Sequence, residues 1–243
     1  MPPHHHRRHR ADTLVRISER APNHLETALP ASPRLADVEL PRTTGQLRQA
    51  AAAARTGNWK QPVIDSANDI RSCHGPIGPV CVFGPNNFPF AFGSASGGDF
   101  AAAIAAGNPV IAKANSSHPG TTRLFAECAL DAARETGMPP AIVQLLYRSN
   151  HDIGQQMVTD HRVGATGYTG SRRAGLALKK AANGAGKPIY LELSSVNPVV
   201  LLPGALAEKG DEIAEVFAGS CLLGTGQFCT NPGLVIVIKG EEA

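Results

Sequence analysis

Aromatic side chains are scarce in this chain: one Trp, three Tyr and eight Phe among 243 residues. No basic stripe carries interleaved aromatics, which argues against nucleic acid as a partner. Neither sign of charge dominates. Lys and Arg number 23 against 20 Asp and Glu, and part of the small basic excess sits in the opening MPPHHHRRHR. No apolar run is long enough to span a bilayer, so no membrane insertion is expected. The opening decapeptide also lacks the apolar stretch of a secretion signal. The five cysteines, at 73, 81, 128, 221 and 229, include no C-x-x-C pair and no metal-finger spacing, so no metal site is expected. An odd count without a signal peptide points to free thiols in a reducing cytoplasm.

What is present is a globular composition, 42% apolar and 18% charged, in a length that permits one large domain or two modest ones. Residues 1–35 mix charge, proline and histidine and read as a partly disordered, solvated leader, with weak helical periodicity near Leu14 to Ile17. A metal-binding tract or a transit peptide are the alternatives for its first ten residues. The stretch 43–54 predicts a helix capped by Thr43 or Thr44, and a looser stretch follows to Asp69.

A rhythm then sets in. Short apolar runs at 80–83, 110–113, 142–146, 163–168 and 189–193 alternate with helical patterns at 100–106, 121–136, 153–158 and 171–182. Such alternation implies βαβ units and a parallel sheet. Parallel sheets receive ligands at the carboxyl ends of their strands, so the residues just after each run carry the information. Beyond Pro198 the chain reads as a strand at 199–202, a helix at 211–222 with Ile213, Val216 and Phe217 on its apolar face, and a strand at 234–238. That last strand predicts exposed apolar surface.

Five segments carry candidate chemistry. Gly226-Gln227-Phe228-Cys229-Thr230-Asn231-Pro232-Gly233 presents a thiol on an irregular loop that substrate can reach, whereas Cys81 lies in an apolar run and reads as structural. After the first run, Asn86 and Asn87 sit in a proline-bracketed turn, where an asparagine amide can be aimed at an oxyanion or serve as turn chemistry alone. After the second, Lys113 is placed to hold ribose or phosphate, or to snorkel to the surface. His118, before a proline, reads as a helix-start residue rather than a base. After the fourth run, Gly170 permits close backbone approach and Ser171 opens a helix where N–H groups meet phosphate. Arg172 and Arg173 either solvate that helix start or attract an anion. Glu192 lies among apolar neighbours, where burial would raise its pKa toward that of a general base. A salt-bridged or half-exposed carboxylate is the alternative.

Together these segments resemble the aldehyde dehydrogenase superfamily over about residues 25–239. FGPNNFPFAF is similar to its asparagine motif, VIAKANSSHPGTT to its cofactor lysine segment and GYTGSRRAG to its pyrophosphate turn. YLELSSVNP is similar to its glutamate motif, and GQFCTNPGL to its nucleophile motif. The resemblance implies a Rossmann-like parallel-sheet NAD(P)-binding domain over 36–192 and the beginning of an α/β catalytic domain over 193–243. It implies Cys229 as nucleophile, Asn87 as oxyanion donor and Glu192 as base. For cofactor binding it implies Lys113, Ser116, Gly170, Ser171 and Gly175. At Ser116, NAD-preferring relatives commonly carry a glutamate, so the expected cofactor is NADP, with NAD the alternative. RTTGQLR, SRRAG, SSVNPV and GQFCTNPGLV are most similar to 2,5-dioxovalerate (α-ketoglutaric semialdehyde) dehydrogenases, which implies oxidation of 2,5-dioxovalerate to 2-oxoglutarate.

Family members of usual length continue well past the nucleophile and form homo-oligomers. By comparison this chain reads as truncated, with an incomplete catalytic domain. Two other readings therefore stand beside the enzyme: a catalytically silent fragment that binds nucleotide or a full-length relative, and a cofactor-free thiol esterase using Cys229 and Glu192.

Overall fold

A computed structural model describes residues 3–26 and 34–240. The chain divides into two compact units, Met1–Glu192 and Leu193–Ala243.

The first unit is built on a five-stranded parallel sheet. It comprises β3 (Val80–Phe83), β4 (Val110–Lys113), β5 (Val143–Leu146), β6 (Ala165–Thr169) and β7 (Ile189–Glu192), ordered β5-β4-β3-β6-β7. The register aligns Leu146, Lys113, Phe83, Tyr168 and Leu191 in one row at the carboxyl edge. Connections from β3 run outward through β4 to β5, then cross back to β6 and out to β7. The switch point thus falls between β3 and β6, where doubly wound sheets open a crevice for ligands. Helices α3 (Gly98–Ala106) and α4 (Pro119–Glu135) lie on the outward connections, and α5 (His151–Thr159) and α6 (Arg172–Gly184) on the returning ones. Right-handed crossovers put these pairs on opposite faces. Accordingly α5 packs with α6, whereas α1 (Pro3–Glu26) and α2 (Leu40–Thr56) pack with α3 and with each other, and α1 also covers α4.

The core lies under that helical layer. Leu14, Ile17, Leu47, Phe100, Ile104, Val110 and Phe125 are buried, and Phe90 meets Phe125 edge to face at 5.4 Å. The described part of the leader is helical and packed. Ala11, Leu14, Ile17 and Ala21 recur on one helical face and are fully buried, and Thr13 Oγ1 lies 2.6 Å from Oγ1 of Thr136, the C-cap residue of α4. Residues 27–33 of that leader lie outside the described residues. The start of α2 also differs from expectation. It begins at Leu40 with Pro41 in the first turn, so Thr43 and Thr44 sit inside the helix, donating back to the Glu39 and Pro41 carbonyls. The loose stretch before the sheet holds a short hairpin, β1 (Val63–Asp65) against β2 (Ile70–Ser72).

The second unit is one βαβ: β8 (Pro198–Leu201), α7 (Pro203–Leu222) and β9 (Leu234–Val237), with β8 and β9 parallel. Ile213 and Phe217 of α7 are half-buried, but Val216 is 67% exposed, off the packed face. The expected apolar exposure at residues 234–238 is present: all five side chains are more than 40% exposed. Among the described residues no helix is long and apolar enough to cross a membrane.

Candidate active site

The loop after β3 is gripped from beneath by α2. Glu39, fully buried, accepts from Arg34 Nη2 at 2.6 Å and from the Phe90 N–H at 2.9 Å. Arg34 Nη2 also donates to the Asn87 carbonyl at 2.6 Å. Gln46 Nε2 reaches the Ala91 carbonyl at 3.2 Å, while Arg42 covers the rings of Phe88 and Phe92 at 5.4 and 5.1 Å. Burying a carboxylate is costly unless charge-assisted bonds replace its water, and here both oxygens are bonded. Residues 39, 42 and 46 share one helical face, so a single stripe of α2 and its N-cap Glu39 sets the path of residues 87–92 and holds the half-buried Asn87 in place. Gly84 has no freedom to vary, because a Cβ there would lie 2.7 Å from both the Phe92 carbonyl and the Ser94 nitrogen.

The loop after β4 is tied to this one. Asn115 Nδ2 donates to the Gly84 carbonyl at 3.1 Å, and His118 Nε2 lies 3.1 Å from the Pro85 carbonyl. His118 is the N-cap residue of α4, consistent with a helix-start role. Asn115 Oδ1 accepts from the Ser117 N–H, which leaves Ser116 exposed on the turn. Lys113, half-buried, donates to the Ala114 carbonyl at 2.9 Å. Burial, and secondarily the charge of Arg148, hold its ammonium pKa below the ordinary lysine value.

After β6, the glycine of the turn accommodates a phenol: a Cβ on Gly170 would fall 2.7 Å from Tyr168 Oη. That hydroxyl donates to the Ser171 carbonyl at 3.2 Å, and the Gly170 N–H donates to the Glu192 carbonyl at 3.0 Å. Ser171 is the N-cap of α6, its hydroxyl accepting from the Ala174 N–H at 3.4 Å. Gly175 is buried on the face of α6 that also buries Leu178 and Ala182.

Of the two readings of Glu192, the structure favours the exposed one. Its side chain is exposed, not buried among apolar neighbours. It belongs to the edge strand β7, and its i−2 neighbour Tyr190, on the same uncovered face, is 70% exposed.

Cys229 belongs to the second unit, on an exposed turn. Its carbonyl accepts from Ser195 Oγ at 2.5 Å and Asn197 Nδ2 at 2.6 Å. Asn197, at a left-handed φ of 49°, also donates to the Asn231 carbonyl at 2.9 Å. Residues 195–197 thereby lace the thiol loop from below. Cys81 and Cys128 are buried, and burial pushes their thiols up to about 12 and about 11. Cys229 is an exposed thiol held on a fixed loop, with Cys73 the other fully exposed one.

The structure thus brings Asn87, Lys113, Ser116, Gly170, Ser171 and Glu192 to the carboxyl edge of one sheet. The residues that hold them, Arg34, Glu39, Arg42, Asn115 and Tyr168, escaped the sequence reading. The recurrence 39, 42, 46 was the available signal for the first group, and the polar run Asn115 to His118 for the second. Among the described residues no cluster of His, Cys, Asp and Glu is arranged to hold a metal.

The aldehyde dehydrogenase family model matches residues 18–241. The chain belongs to the aldehyde dehydrogenase family. It is 46% identical over 247 residues to alpha-ketoglutaric semialdehyde dehydrogenase 2 of Azospirillum brasilense, covering 96% of this chain and 46% of that protein. Among solved structures it superposes on PnpE in complex with nicotinamide adenine dinucleotide at a TM-score of 0.80, with 24% identity, covering 96% of this chain and 47% of PnpE. A glyceraldehyde-3-phosphate dehydrogenase from Methanocaldococcus jannaschii, complexed with NADP, gives 0.75 with 23% identity over 94% of this chain and 50% of that one. The chain spans about half the length of the relatives it matches. As in those neighbours, the fold is α/β with a parallel, Rossmann-like sheet.

Proposed function

We propose that this chain carries the cofactor half and the nucleophile loop of an NADP-preferring aldehyde dehydrogenase. In this reading residues 36–192 bind the dinucleotide and 193–243 begin the catalytic domain. The observation that carries it is the carboxyl edge of the sheet. There a held asparagine loop, a half-buried lysine and a capped helix start converge on the β3–β6 switch point. The segments 113–118 and 169–175 contain Lys113, Arg172 and Arg173 and no acidic residue, and α6 points its N-terminus there. That donor set fits a phosphate-bearing group. Lys113 and Ser116 would hold the ribose end and its 2′-phosphate, and Gly170, Ser171 and Gly175 would support the pyrophosphate. When bound, the nicotinamide supplies the hydride acceptor that aldehyde oxidation requires.

The chain's own groups do the rest. The Cys229 thiolate adds to the aldehyde carbon and later carries the acyl group as a thioester. The Asn87 carboxamide and the Cys229 N–H donate to the oxyanion, each such donor being worth about 3 kcal/mol. The Glu192 carboxylate takes a proton from the water that releases the acid. The exposure of Glu192 suits a base that must meet water. The resemblance to α-ketoglutaric semialdehyde dehydrogenase supports 2,5-dioxovalerate as substrate and 2-oxoglutarate as product, and the odd cysteine count supports the cytoplasm as location.

Cofactor choice tests the reading. Turnover per KM is expected to favour NADP over NAD, and Ser116→Glu is expected to reverse the order by repelling the 2′-phosphate. A tenfold preference for NAD in the unaltered chain would defeat it. The exposed apolar residues of β9 favour a second reading, a silent fragment that binds nucleotide or a full-length relative. Nucleotide binding with no aldehyde-dependent reduction selects that one.

A further inference from the structure

The amino-terminal edge of the same sheet carries a cavity of about 390 Å³, at the opposite end of the strands from Asn87, Lys113, Ser171 and Glu192. Arg7 and Arg10 of α1 line it with Trp59 and Lys60, and Pro109 and Ile142, which precede β4 and β5, help form its apolar walls. No acidic side chain is among its described lining residues. Neither Arg7 nor Arg10 has a hydrogen bond or ion pair among the described residues. Two donors in the cavity wall, Arg10 Nε and Trp59 Nε1, are buried with no hydrogen-bond partner among the described residues. Burial and the neighbouring charge of Arg7 hold the Arg10 pKa below the ordinary guanidinium value, so the two cations repel one another.

The fold keeps them together nonetheless. A Cβ at Gly107 would lie 2.7 Å from Arg10 Nη1, and one at Gly57 2.8 Å from Arg7 Nη1. Those glycines end α3 and α2, so each guanidinium rests on the negative end of a helix dipole. A dipole steadies the cations but leaves the buried N–H groups unbonded. An anion with several acceptor oxygens would satisfy both needs, since a guanidinium fork pairs with carboxylate or phosphate in two parallel bonds. The cavity volume is that of a small-molecule site, and its apolar walls call for an apolar body behind the charged head.

We propose that this cavity binds a small organic anion, a carboxylate or phosphomonoester on an apolar body, with its head between Arg7, Arg10 and the indole N–H. Trp59 is the only tryptophan in the chain, so its emission reports on the cavity without interference. The full chain is titrated with phenyl phosphate, benzoate, inorganic phosphate and benzyl alcohol. A saturable change is expected with at least one aryl anion, and the tighter of the two identifies the head group. Inorganic phosphate is expected to bind about tenfold more weakly, and Arg10→Gln and Arg7→Gln each to weaken the aryl anion about tenfold, the loss of one charge-assisted contact. Circular dichroism checks each variant, and if one fails to fold the other decides. The proposal is overturned if neither aryl anion gives a saturable change, if benzyl alcohol binds equally well, or if the folded variants bind like the unaltered chain.

Discussion

Replacing Glu39 by Gln probes how the asparagine loop is held. The glutamine oxygen still accepts from the Phe90 N–H, but the negative charge opposite Arg34 is gone. Breaking a buried ion pair costs about 3–5 kcal/mol. Here the Glu39 side chain is wholly buried and that of Arg34 is 36% exposed, so water relieves part of the loss and about 2 kcal/mol is expected. For a chain of this size that lowers the melting temperature by about 4–8 °C. Glu39→Ala, which also strands the Phe90 N–H, is expected to cost about 1–2 kcal/mol more. The loop-specific readout is amide hydrogen exchange. Protection is expected to fall across residues 87–92 and to persist in β4 and β5. Melting within about 1 °C of the parent, with unchanged exchange at 87–92, would refute the idea that α2 holds this loop.

Two further outcomes follow from packing and titration. Because burial raises the Cys81 and Cys128 thiols to about 12 and about 11, both stay protonated in the folded chain well above the ordinary thiol range. At pH 9 iodoacetamide is expected to label Cys229 and Cys73 quickly and to reach Cys81 and Cys128 only in denaturant. The same shifts mean that stability from these thiols is complete below the unfolded thiol pKa and is lost as pH rises toward 11 and 12, which melting at successive pH values reports. Equal labelling of all four thiols would contradict both. Gly170→Ala drives a methyl into Tyr168 Oη and is expected to cost about 1–3 kcal/mol. Tyr168→Phe in the same chain should recover part of that loss, and a double-mutant cycle with zero coupling would count against the contact.

The alternation of strands and helices was readable because buried parallel strands are short apolar runs closed by Gly, Pro or Asn, as at 80–85 and 110–115. Strand order was not, and strand order decides burial: an acid among Tyr190, Leu191 and Leu193 could be enclosed or half-exposed, and the place of β7 at the sheet edge leaves Glu192 exposed. The helix in the leader left a faint trace in the spacing of residues 11, 14, 17 and 21, obscured by the histidines and arginines around it. Glu39 left almost none. An acid before Leu-Pro looks like any surface glutamate until the fold brings Arg34 and the Phe90 N–H to it. The hairpin was missed because its two strands are three residues each, in a polar stretch. In the second unit, Ser195 and Asn197 lie inside the segment YLELSSVNP, and nothing in their spacing shows that they secure the thiol loop.

In the proposed reaction Cys229 carries an acyl group which Glu192 helps water to remove. The direct measurement is mass spectrometry of Glu192→Gln incubated with 2,5-dioxovalerate and NADP, followed by peptide mapping. The expected result is one acyl adduct, confined to the peptide containing Cys229 and absent in Cys229→Ala. An unaltered chain that reduces NADP while Glu192→Gln accumulates no adduct, or an adduct on Cys73 instead, would contradict it.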